Sequence, residues 1–355
     1  MKKLIALNFG GIGDQILFLP LLHSIKEKYP ESEITLVVEP RSRMVDALSH
    51  DIDIIKTSDI KSDESQFKKF FHLYRILKSE KYDAVVSCGA SPLVSVLLFL
   101  SGIKNRIGFA TNKLSRMLLT YPIKLNKKQY AAFMFQDLSV GFGLKNLYAL
   151  PEIILPGEAL SWLANWQQNH PTHGKKMVVI HPGSSKLSVK KGILKNWPVE
   201  SWVAVIKHLL SFHEIAVVLA GGPDDDEIIH QILDQVGGHS GLINSYGETK
   251  NLYQLGALIQ ASSLFVGIDS GPMHMAIGLG KKIVAIFGPT DEKKVVPEDS
   301  RFHTVRIILD CTPCLFDKSM KVCDDPKCLA VPAYAVIEAV DAALRDEECD
   351  STLIG

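Results

Sequence analysis

Glycines and one carboxylate follow the first apolar run of the chain, which begins at Lys3. The segment Asn8–Asp14 reads NFGGIGD, and its glycines permit a tight turn in which the backbone can approach a ligand closely. Their spacing is not G-x-G-x-x-G, which argues against a dinucleotide site of the usual kind. Asp14 falls in the first turn of the predicted helix. It could stabilise the helix dipole there, or it could face a ligand as a general base.

A second group of small and hydroxyl side chains is His181–Ser185, which follows a strand of fully buried type. Backbone N–H groups and the hydroxyls of Ser184 and Ser185 could hold a phosphate there. The next segment, as far as Trp197, contains the lysines Lys186, Lys190, Lys191 and Lys195. These lysines are either part of a solvated loop or the source of a cation that neutralises a diphosphate.

Two further strand ends carry similar turns. In the segment Val266–His274 a buried strand gives way to a small-residue turn, and a helix then begins with Pro272 at its first position. Free N–H groups at that helix start could bind an anion, although a purely structural turn fits equally well. The segment Ala220–Pro223 precedes the acidic run Asp224–Glu227. A carboxylate there could bind ribose hydroxyls, while the run as a whole is better explained by solvated helix entry than by a metal motif.

The cysteines near the C-terminus raise the question of a metal site. Their positions are Cys311, Cys314, Cys323 and Cys328. The first pair has the C-x-x-C spacing of metal ligands, whereas the second pair is spaced loosely. A zinc or iron site and plain thiols in a loop therefore both remain open, and no metal is expected elsewhere.

Basic residues concentrate in one part of the first half. No acidic residue occurs from Val85 to Gln136, whereas this segment contains Lys104, Arg106, Lys113, Arg116, Lys124, Lys127 and Lys128. Arg41 and Arg43 follow the second predicted strand. The segment is either a solvated basic face or a funnel for an anionic substrate, which arginine guanidinium groups bind well.

These residues need a scaffold, and the hydrophobic pattern predicts one. Short strands are expected at 3–8, 33–38, 54–56, 84–87, 105–108 and 123–125, and again at 177–180, 215–220, 242–244, 264–267 and 282–287. Amphipathic helical stretches lie between them, which favours an α/β class with parallel sheets covered by helices on both faces. Ligands bind such sheets at the carboxyl ends of the strands, which is where the polar groups above occur.

Length and composition agree with two domains of ordinary size. The chain has 355 residues, with 46% hydrophobic residues and 39 residues of each charge sign. A formal net charge of zero gives no general attraction to nucleic acid. No signal-peptide pattern is visible, so the cytoplasm is the expected compartment. The apolar run Pro92–Leu100 is too short to span a membrane. We predict a buried helix there, with shallow membrane contact as the alternative.

Taken together, the motifs resemble glycosyltransferase family 9, the bacterial heptosyltransferases. The resemblance covers nearly the whole chain and rests on GGIGD at 10–14, HPGS at 181–184, K-x-W-P at 195–198, GGP at 221–223, DSGPMH at 269–274 and FGPTD at 287–291. Each motif is weak alone, but together, in this order, they are specific. The loop between His181 and Lys195 is longer than the family pattern and carries extra lysines.

The resemblance implies a GT-B fold, with two Rossmann-like domains facing across a cleft, and inversion at the anomeric carbon without metal or other cofactor. It implies an acceptor-binding domain over 1–155, a linker over 156–175, a nucleotide-sugar domain over 176–330 and a terminal helix and tail over 331–355. Asp14 would be the base. The implied donor contacts are Gly11, Gly13, Ser184, Ser185, Lys195, Gly222, Glu227, Asp269, Ser270, Gly271 and His274. Lys190 or Lys191 could replace Lys195.

The implied substrates are ADP-heptose and an anionic lipopolysaccharide core of the Kdo/heptose-lipid type. The acceptor contacts would be Arg41, Arg43, Arg106, Lys113 and Arg116, and peripheral contact with the inner membrane stays open. Alternatives are a family 9 enzyme with another nucleotide-sugar donor or a protein acceptor, and a catalytically silent sugar-nucleotide binder.

Overall fold

The chain forms two compact units, Met1–Ile154 and Leu155–Gly355. The computed structural model describes residues 1–145, 148–170, 172, 174–190, 192–315, 323 and 326–350, the last five of them in backbone only. Among these residues, no helix is long and apolar enough to cross a membrane. Each unit is built around its own parallel sheet.

The first unit alternates strands and helices along the chain. Its elements are β1 (Lys3–Leu7), α1 (Ile12–Lys28), β2 (Glu33–Val38), β3 (Ile54–Thr57), α2 (Gln66–Lys78), β4 (Ala84–Ser87), α3 (Pro92–Leu100), β5 (Asn105–Phe109), α4 (Lys113–Leu118), β6 (Tyr121–Ile123) and α5 (Ala131–Gln136), with 3-10 turns at Pro40–Leu48 and Asp137–Phe142. The strands lie in the order β3-β2-β1-β4-β5-β6. This is the 3-2-1-4-5-6 order of a doubly wound sheet, so the strand order reverses between β1 and β4.

The second unit repeats this scheme. It contains α6 (Gly157–Asn169), β7 (Lys176–His181), α7 (Lys186–Lys190), α8 (Val199–Leu210), β8 (Ile215–Leu219), α9 (Asp226–Val236), β9 (Leu242–Asn244), α10 (Leu252–Ala261), β10 (Leu264–Ile268), α11 (Gly271–Gly278), β11 (Lys282–Phe287), β12 (Phe302–Arg306) and α12 (Ala333–Asp350). The order β12-β11-β10-β7-β8-β9 again reverses between the first and fourth strands, β7 and β10.

Burial of apolar side chains on both faces holds each sheet. In the second unit, the β7, β8 and β10 side chains pack with Trp197 and Trp202, whose rings meet edge to face with centroids 4.9 Å apart. The Trp197 indole N–H donates to the Val331 carbonyl at 2.9 Å, which satisfies its one polar group. Helix α12 belongs to this core, since Val336 and Val340 are fully buried in it.

The segment 156–175, predicted as a linker, contains helix α6 within the second unit. Helix α6 packs against α10. Its Trp166 is buried, and the indole donates to the Glu248 carboxylate at 2.6 Å. Pro171 and His173 lie outside the described residues.

Two expectations from the sequence were wrong. The strand at 302–306 was not predicted, because FHTVR has the mixed pattern of an edge strand rather than an apolar run. The prediction of a buried helix at Pro92–Leu100 is correct for the helix but wrong for its outer face. Leu93, Phe99 and Leu100 are exposed there, because only one side of α3 packs on the sheet.

Candidate functional site

In each unit, the polar motifs lie where the strand order reverses. The chain leaves β1 through Asn8–Gly11 into α1, and it leaves β7 through His181–Ser184. Strands β4 and β10 are the direct partners of these two strands. Carboxyl ends of neighbouring parallel strands open into a crevice at such a reversal, and ligands bind there.

Asp14 lies in the first turn of α1 and folds back over the glycines. Its Oδ2 accepts the Gly11 backbone N–H at 2.8 Å. A Cβ atom on Gly10 would lie only 2.2 Å from the Asp14 Cβ, so any side chain at position 10 would clash. The structure therefore shows the helix-start contact that the sequence predicted, while the Asp14 side chain remains exposed to solvent.

Asn8 and Gln15 hold this loop in one conformation. The Asn8 amide donates to the Asp14 carbonyl at 3.0 Å and accepts the Gly10 N–H at 3.0 Å. The Gln15 amide donates to the Asn8 carbonyl at 2.9 Å. Both side chains are buried, so the exposed carboxylate stands on a rigid support.

The segment after β2 completes the surroundings of this loop. The buried Ser42 hydroxyl donates to the Gly10 carbonyl at 3.1 Å. The Arg41 guanidinium lies near Gly11, because a Cβ there would be 3.8 Å from its nitrogen. Arg43 is exposed on the same turn. The structure thus brings Arg41 close to the Asp14 loop.

The remaining predicted acceptor contacts lie elsewhere in the first unit. Arg106 donates to the carbonyls of Leu118 at 2.9 Å and Ile103 at 2.6 Å, at the amino end of β5. Its guanidinium ties backbone segments together on the edge of the sheet opposite Asp14. Lys113 and Arg116 are exposed on α4, which begins after the carboxyl end of β5.

In the second unit, a buried aspartate joins the loops after β7 and β8. The Asp225 Oδ2 accepts the Gly222 N–H at 2.8 Å and lies 3.5 Å from the His181 Nε2. A Cβ on Gly183 would lie 1.8 Å from the Asp225 Oδ1, so only glycine fits there. Burial lowers the pKa of His181, and the nearby Asp225 carboxylate only partly offsets this effect. The imidazole is therefore neutral at neutral pH.

Lys195 reaches the end of β10. Its Nζ donates to the Asp269 Oδ2 at 2.6 Å and to the Asp269 carbonyl at 3.2 Å. Burial of Asp269 opposes its ionisation, but Lys195, His274 and the Thr290 hydroxyl outweigh burial and lower the pKa of the carboxyl. An ammonium has three N–H donors, so these two bonds leave one for a ligand.

The small residues around this ion pair offer further donors. Ser270 precedes helix α11, and its buried hydroxyl has no hydrogen-bond partner among the described residues. Gly271 begins α11 and His274 is buried in it. The Ser184 hydroxyl donates to the Asn196 side chain at 2.6 Å. A buried hydroxyl beside free helix N–H groups is suited to hold an anion.

Other predicted donor contacts are more exposed. Glu227 lies in the first turn of α9, where its carboxylate accepts the Gln231 amide at 3.3 Å. The Ser185 and Ser188 hydroxyls lie 2.9 Å apart. Lys190 is exposed at the end of α7, and Lys191 lies outside the described residues.

Described parts of the cysteine segment contact the turn that follows β11. The Cys314 N–H donates to the Pro289 carbonyl at 3.0 Å, and Cys328 is buried near Gly288. Cys311 and Cys323 are exposed. Within the described part of the chain, no group of three or more His, Cys, Asp or Glu side chains could hold a metal ion.

Two site carboxylates were not identified from the sequence. Asp225 was interpreted as part of a solvated run, although a Gly-Gly-Pro turn before it could have suggested a carboxylate that binds a glycine N–H. Glu39 directly follows β2 and is buried, with one oxygen that has no hydrogen-bond partner among the described residues. Its position at a strand end was the signal available. Burial raises the pKa of Glu39, despite the opposing attraction of Lys61 and Arg41.

We expect Gly183→Ala to destabilise the second unit by about 1–3 kcal/mol, because the added methyl overlaps the Asp225 carboxylate. The measurement is the free energy of unfolding. Gly157→Ala is the matched control, since nothing lies within 4 Å of a Cβ there. Combining Gly183→Ala with Asp225→Gly should recover part of the loss. Equal stability of the Gly183 and Gly157 variants would contradict the packing described.

Asp269→Asn should cost about 3–5 kcal/mol of stability, because it leaves the Lys195 ammonium half-buried without its counter-charge. Asp299→Asn is the matched control: its partner Arg301 is 2.7 Å away, close to the 2.6 Å of the Lys195–Asp269 pair, but the Asp299–Arg301 pair is more exposed, so the cost should stay below about 1 kcal/mol. The difference in the free energy of unfolding between the wild type and Asp269→Asn should have its full value above the ordinary carboxyl pKa of 3.8. It should vanish as the pH falls through the lowered pKa of Asp269. Equal costs at the two positions would refute this account.

Glu39→Gln should raise the free energy of unfolding at pH 8 and lose this advantage as the pH falls. A raised pKa in the folded state means that the charged carboxylate is disfavoured in the folded protein. The carboxylate therefore lowers the free energy of unfolding at pH values above that pKa. Below the ordinary value of 4.5 the carboxyl is neutral in both states, and the cost is absent. Glu31→Gln, at an exposed position, is the control. A pH-independent difference at Glu39 would contradict the assignment.

The chain is similar in sequence to known proteins of one family. A family model described as Glycosyltransferase family 9 (heptosyltransferase) matches residues 70–323. Lipopolysaccharide heptosyltransferase 3 of Escherichia coli is 27% identical over 293 residues, covering 79% of this chain and 81% of that protein.

Solved structures agree in fold. Escherichia coli ADP-heptose lipopolysaccharide heptosyltransferase II matches with a TM-score of 0.75 at 21% identity, over 98% of this chain and 100% of that one. Escherichia coli heptosyltransferase WaaC, solved with ADP-2-deoxy-2-fluoro heptose, gives 0.70 at 16% identity, over 96% and 99% of the two chains. The predicted GT-B fold class is confirmed by these likenesses. Since the family model matches most of the chain, this protein belongs to glycosyltransferase family 9 and is a glycosyltransferase.

Proposed function

We propose that this protein is a heptosyltransferase of lipopolysaccharide core assembly that uses ADP-heptose as its donor. The observation that carries the proposal is the buried Lys195–Asp269 pair beside the start of α11, at the strand reversal of the second unit. The names of the matched relatives supply the sugar: lipopolysaccharide heptosyltransferases in two cases, one of them with ADP-heptose in its name.

The second unit would hold the donor. One N–H of Lys195 and the backbone N–H groups at the start of α11 would bind the diphosphate, with Ser270 as a further donor. Negative charge grows on the diphosphate as the bond to the anomeric carbon breaks, and donors fixed in advance lower the free energy of that transition state. This positive charge is what a metal ion supplies in other transferases, and we propose that the reaction here needs no metal.

The first unit would bind the acceptor and supply the base. We propose that Asp14 removes the proton from the acceptor hydroxyl as that oxygen attacks the anomeric carbon from the side opposite to the leaving ADP. A single displacement of this kind inverts the anomeric configuration. Asp14 suits the role because its carboxylate is solvent-exposed, yet it is held at one oxygen by the Gly11 N–H.

The acceptor would be anionic. Arg41 lies beside the Asp14 loop and Arg43 follows it, and guanidinium groups bind phosphate and carboxylate oxygens in pairs. A Kdo/heptose lipid core presents both groups. Arg106, whose donors are used by backbone carbonyls, is better assigned to holding the fold than to the acceptor.

Asp14→Asn should leave donor binding unchanged and slow transfer by about 10²–10⁴-fold, because the amide can still accept the Gly11 N–H but is a poor base. The measurements are calorimetric binding of ADP and ADP-heptose, and transfer of heptose to a heptose-deficient core. The matched control is Asp83→Asn, whose carboxylate accepts the Lys2 N–H at the other edge of the same sheet.

Three results would revise the proposal. Preference for UDP- or GDP-sugars would retain the transferase and discard the heptose. Transfer at the normal rate by Asp14→Asn would remove the base. Absence of binding to every nucleotide sugar would leave a family member that does not bind the proposed donor.

A further inference from the structure

Large apolar side chains project to solvent from two neighbouring helices of the first unit. Helix α3 exposes Leu93, Phe99 and Leu100, and helix α4 exposes Leu114 and Met117. The two helices pack against each other, so these side chains share one surface, which we call the α3–α4 face. Leu93 is 64% exposed and Met117 is 73% exposed, which is far more than a soluble helix usually allows for such side chains.

The sequence of α3 shows that its exposed apolar surface is not limited to one residue. The helix reads PLVSVLLFL and contains no charged residue. Its inner side, with Leu97 and Leu98, packs in the core of the sheet. A helix that is apolar on its outer side as well needs a second apolar contact to cover it.

The polar groups on this face have a single sign. Lys113 and Arg116 are exposed on α4 next to Leu114 and Met117, and Lys104 is exposed between α3 and β5. No acidic residue occurs from 85 to 136. Within 85–136, exposed apolar side chains alternate with cations and no carboxylate occurs, a combination that matches the interface of a bilayer that contains anionic lipids.

We propose that the α3–α4 face is the surface with which this protein binds an anionic lipid bilayer. Leu93, Phe99, Leu114 and Met117 would enter the boundary between headgroups and acyl chains, while Lys113 and Arg116 would contact lipid phosphates. A protein partner of ordinary composition carries both positive and negative charges, and its cations would be repelled by those of this face. The bilayer is therefore the better match.

The position of the α3–α4 face relates it to the acceptor, an inference that rests on the proposed function. Helix α3 begins just after β4, the direct neighbour of β1, and α4 begins after β5. Both helix starts therefore lie at the edge of the sheet that carries Asp14. A glycolipid acceptor whose acyl chains stay in the bilayer would then present its sugars at the edge that holds the proposed base.

Helix α2 extends the same surface. It packs against α3, and its exposed Phe67 and Phe71 form a ring pair with centroids 5.2 Å apart. Lys68 and Lys69 lie between these two aromatic residues in the sequence. Aromatic rings are well suited to the headgroup region, because they are rigid and largely apolar.

The test is co-sedimentation of the full-length protein with vesicles of phosphatidylethanolamine and phosphatidylglycerol, compared with phosphatidylcholine alone. We expect binding to the anionic vesicles only, weakened by salt. Leu93→Glu combined with Met117→Glu should lower the partition coefficient by about tenfold or more. Ile308→Glu and Tyr334→Glu, at exposed apolar positions of the second unit, are the matched controls and should bind like the wild type.

The proposal would be overturned if the Leu93/Met117 variant bound vesicles as well as the controls do. It would also be overturned if the wild type bound anionic and phosphatidylcholine vesicles equally. So would self-association of the wild type that the same variant abolishes, since a second copy would then cover the face. A circular dichroism spectrum and a melting temperature like those of the wild type show that a variant is folded. Transfer to a soluble, acyl-free acceptor should be normal in the variant, whereas transfer to a vesicle-embedded acceptor should fall. If the wild type transferred heptose to neither acceptor, the proposed function would be refuted, and vesicle binding would stand as a separate result.

Discussion

An aspartate carboxylate packed against glycine backbone shapes the loop after the first strand in both units. In the first unit Asp14 covers Gly10 and accepts the Gly11 N–H, and in the second Asp225 covers Gly183 and accepts the Gly222 N–H. Each carboxylate fills the space that a side chain would need. Gly10 and Gly183 are therefore required by packing and not by a left-handed backbone conformation, since neither has a positive φ.

The two aspartates differ in exposure, and this difference separates their roles. Asp14 comes from the helix that follows its glycines, so its carboxylate stays at the surface and can meet a substrate. Asp225 comes from the next strand's loop and is buried beside the neutral His181. It is a positioning group, since it joins the loops that follow β7 and β8.

Lys195 and Asp269 form an ion pair with little solvent exposure in the second unit. Lys195 is held against Asp269 by two hydrogen bonds, and the start of α11 lies beside this pair. Asp269 fixes the ammonium and offsets the cost of its burial. An ammonium has three N–H donors, so the two bonds to Asp269 leave one for a ligand.

The sequence by itself determined the class of fold, the positions of most strands along the chain and the family. Apolar runs separated by amphipathic stretches are local patterns, and they predicted eleven of the strands, including Lys282–Phe287 without error. It also determined that polar residues follow strand ends, as at Asp14 and Asp269. These features depend on residues close together in the chain, which is why they could be predicted without a structure.

Only the tertiary structure decided which side chains meet. Asp225 and His181 are separated by two helices and a strand, and their contact follows from the pairing of β7 with β8. Arg106 was predicted as an acceptor contact, and only the structure shows that it donates to the backbone carbonyls of Ile103 and Leu118. The exposed side of α3 was equally hidden in the sequence, since an apolar run does not tell which of its faces the sheet will cover. The Asp225–His181 contact and the packing of α3 on the sheet join distant parts of the chain, and local patterns carry no information about them.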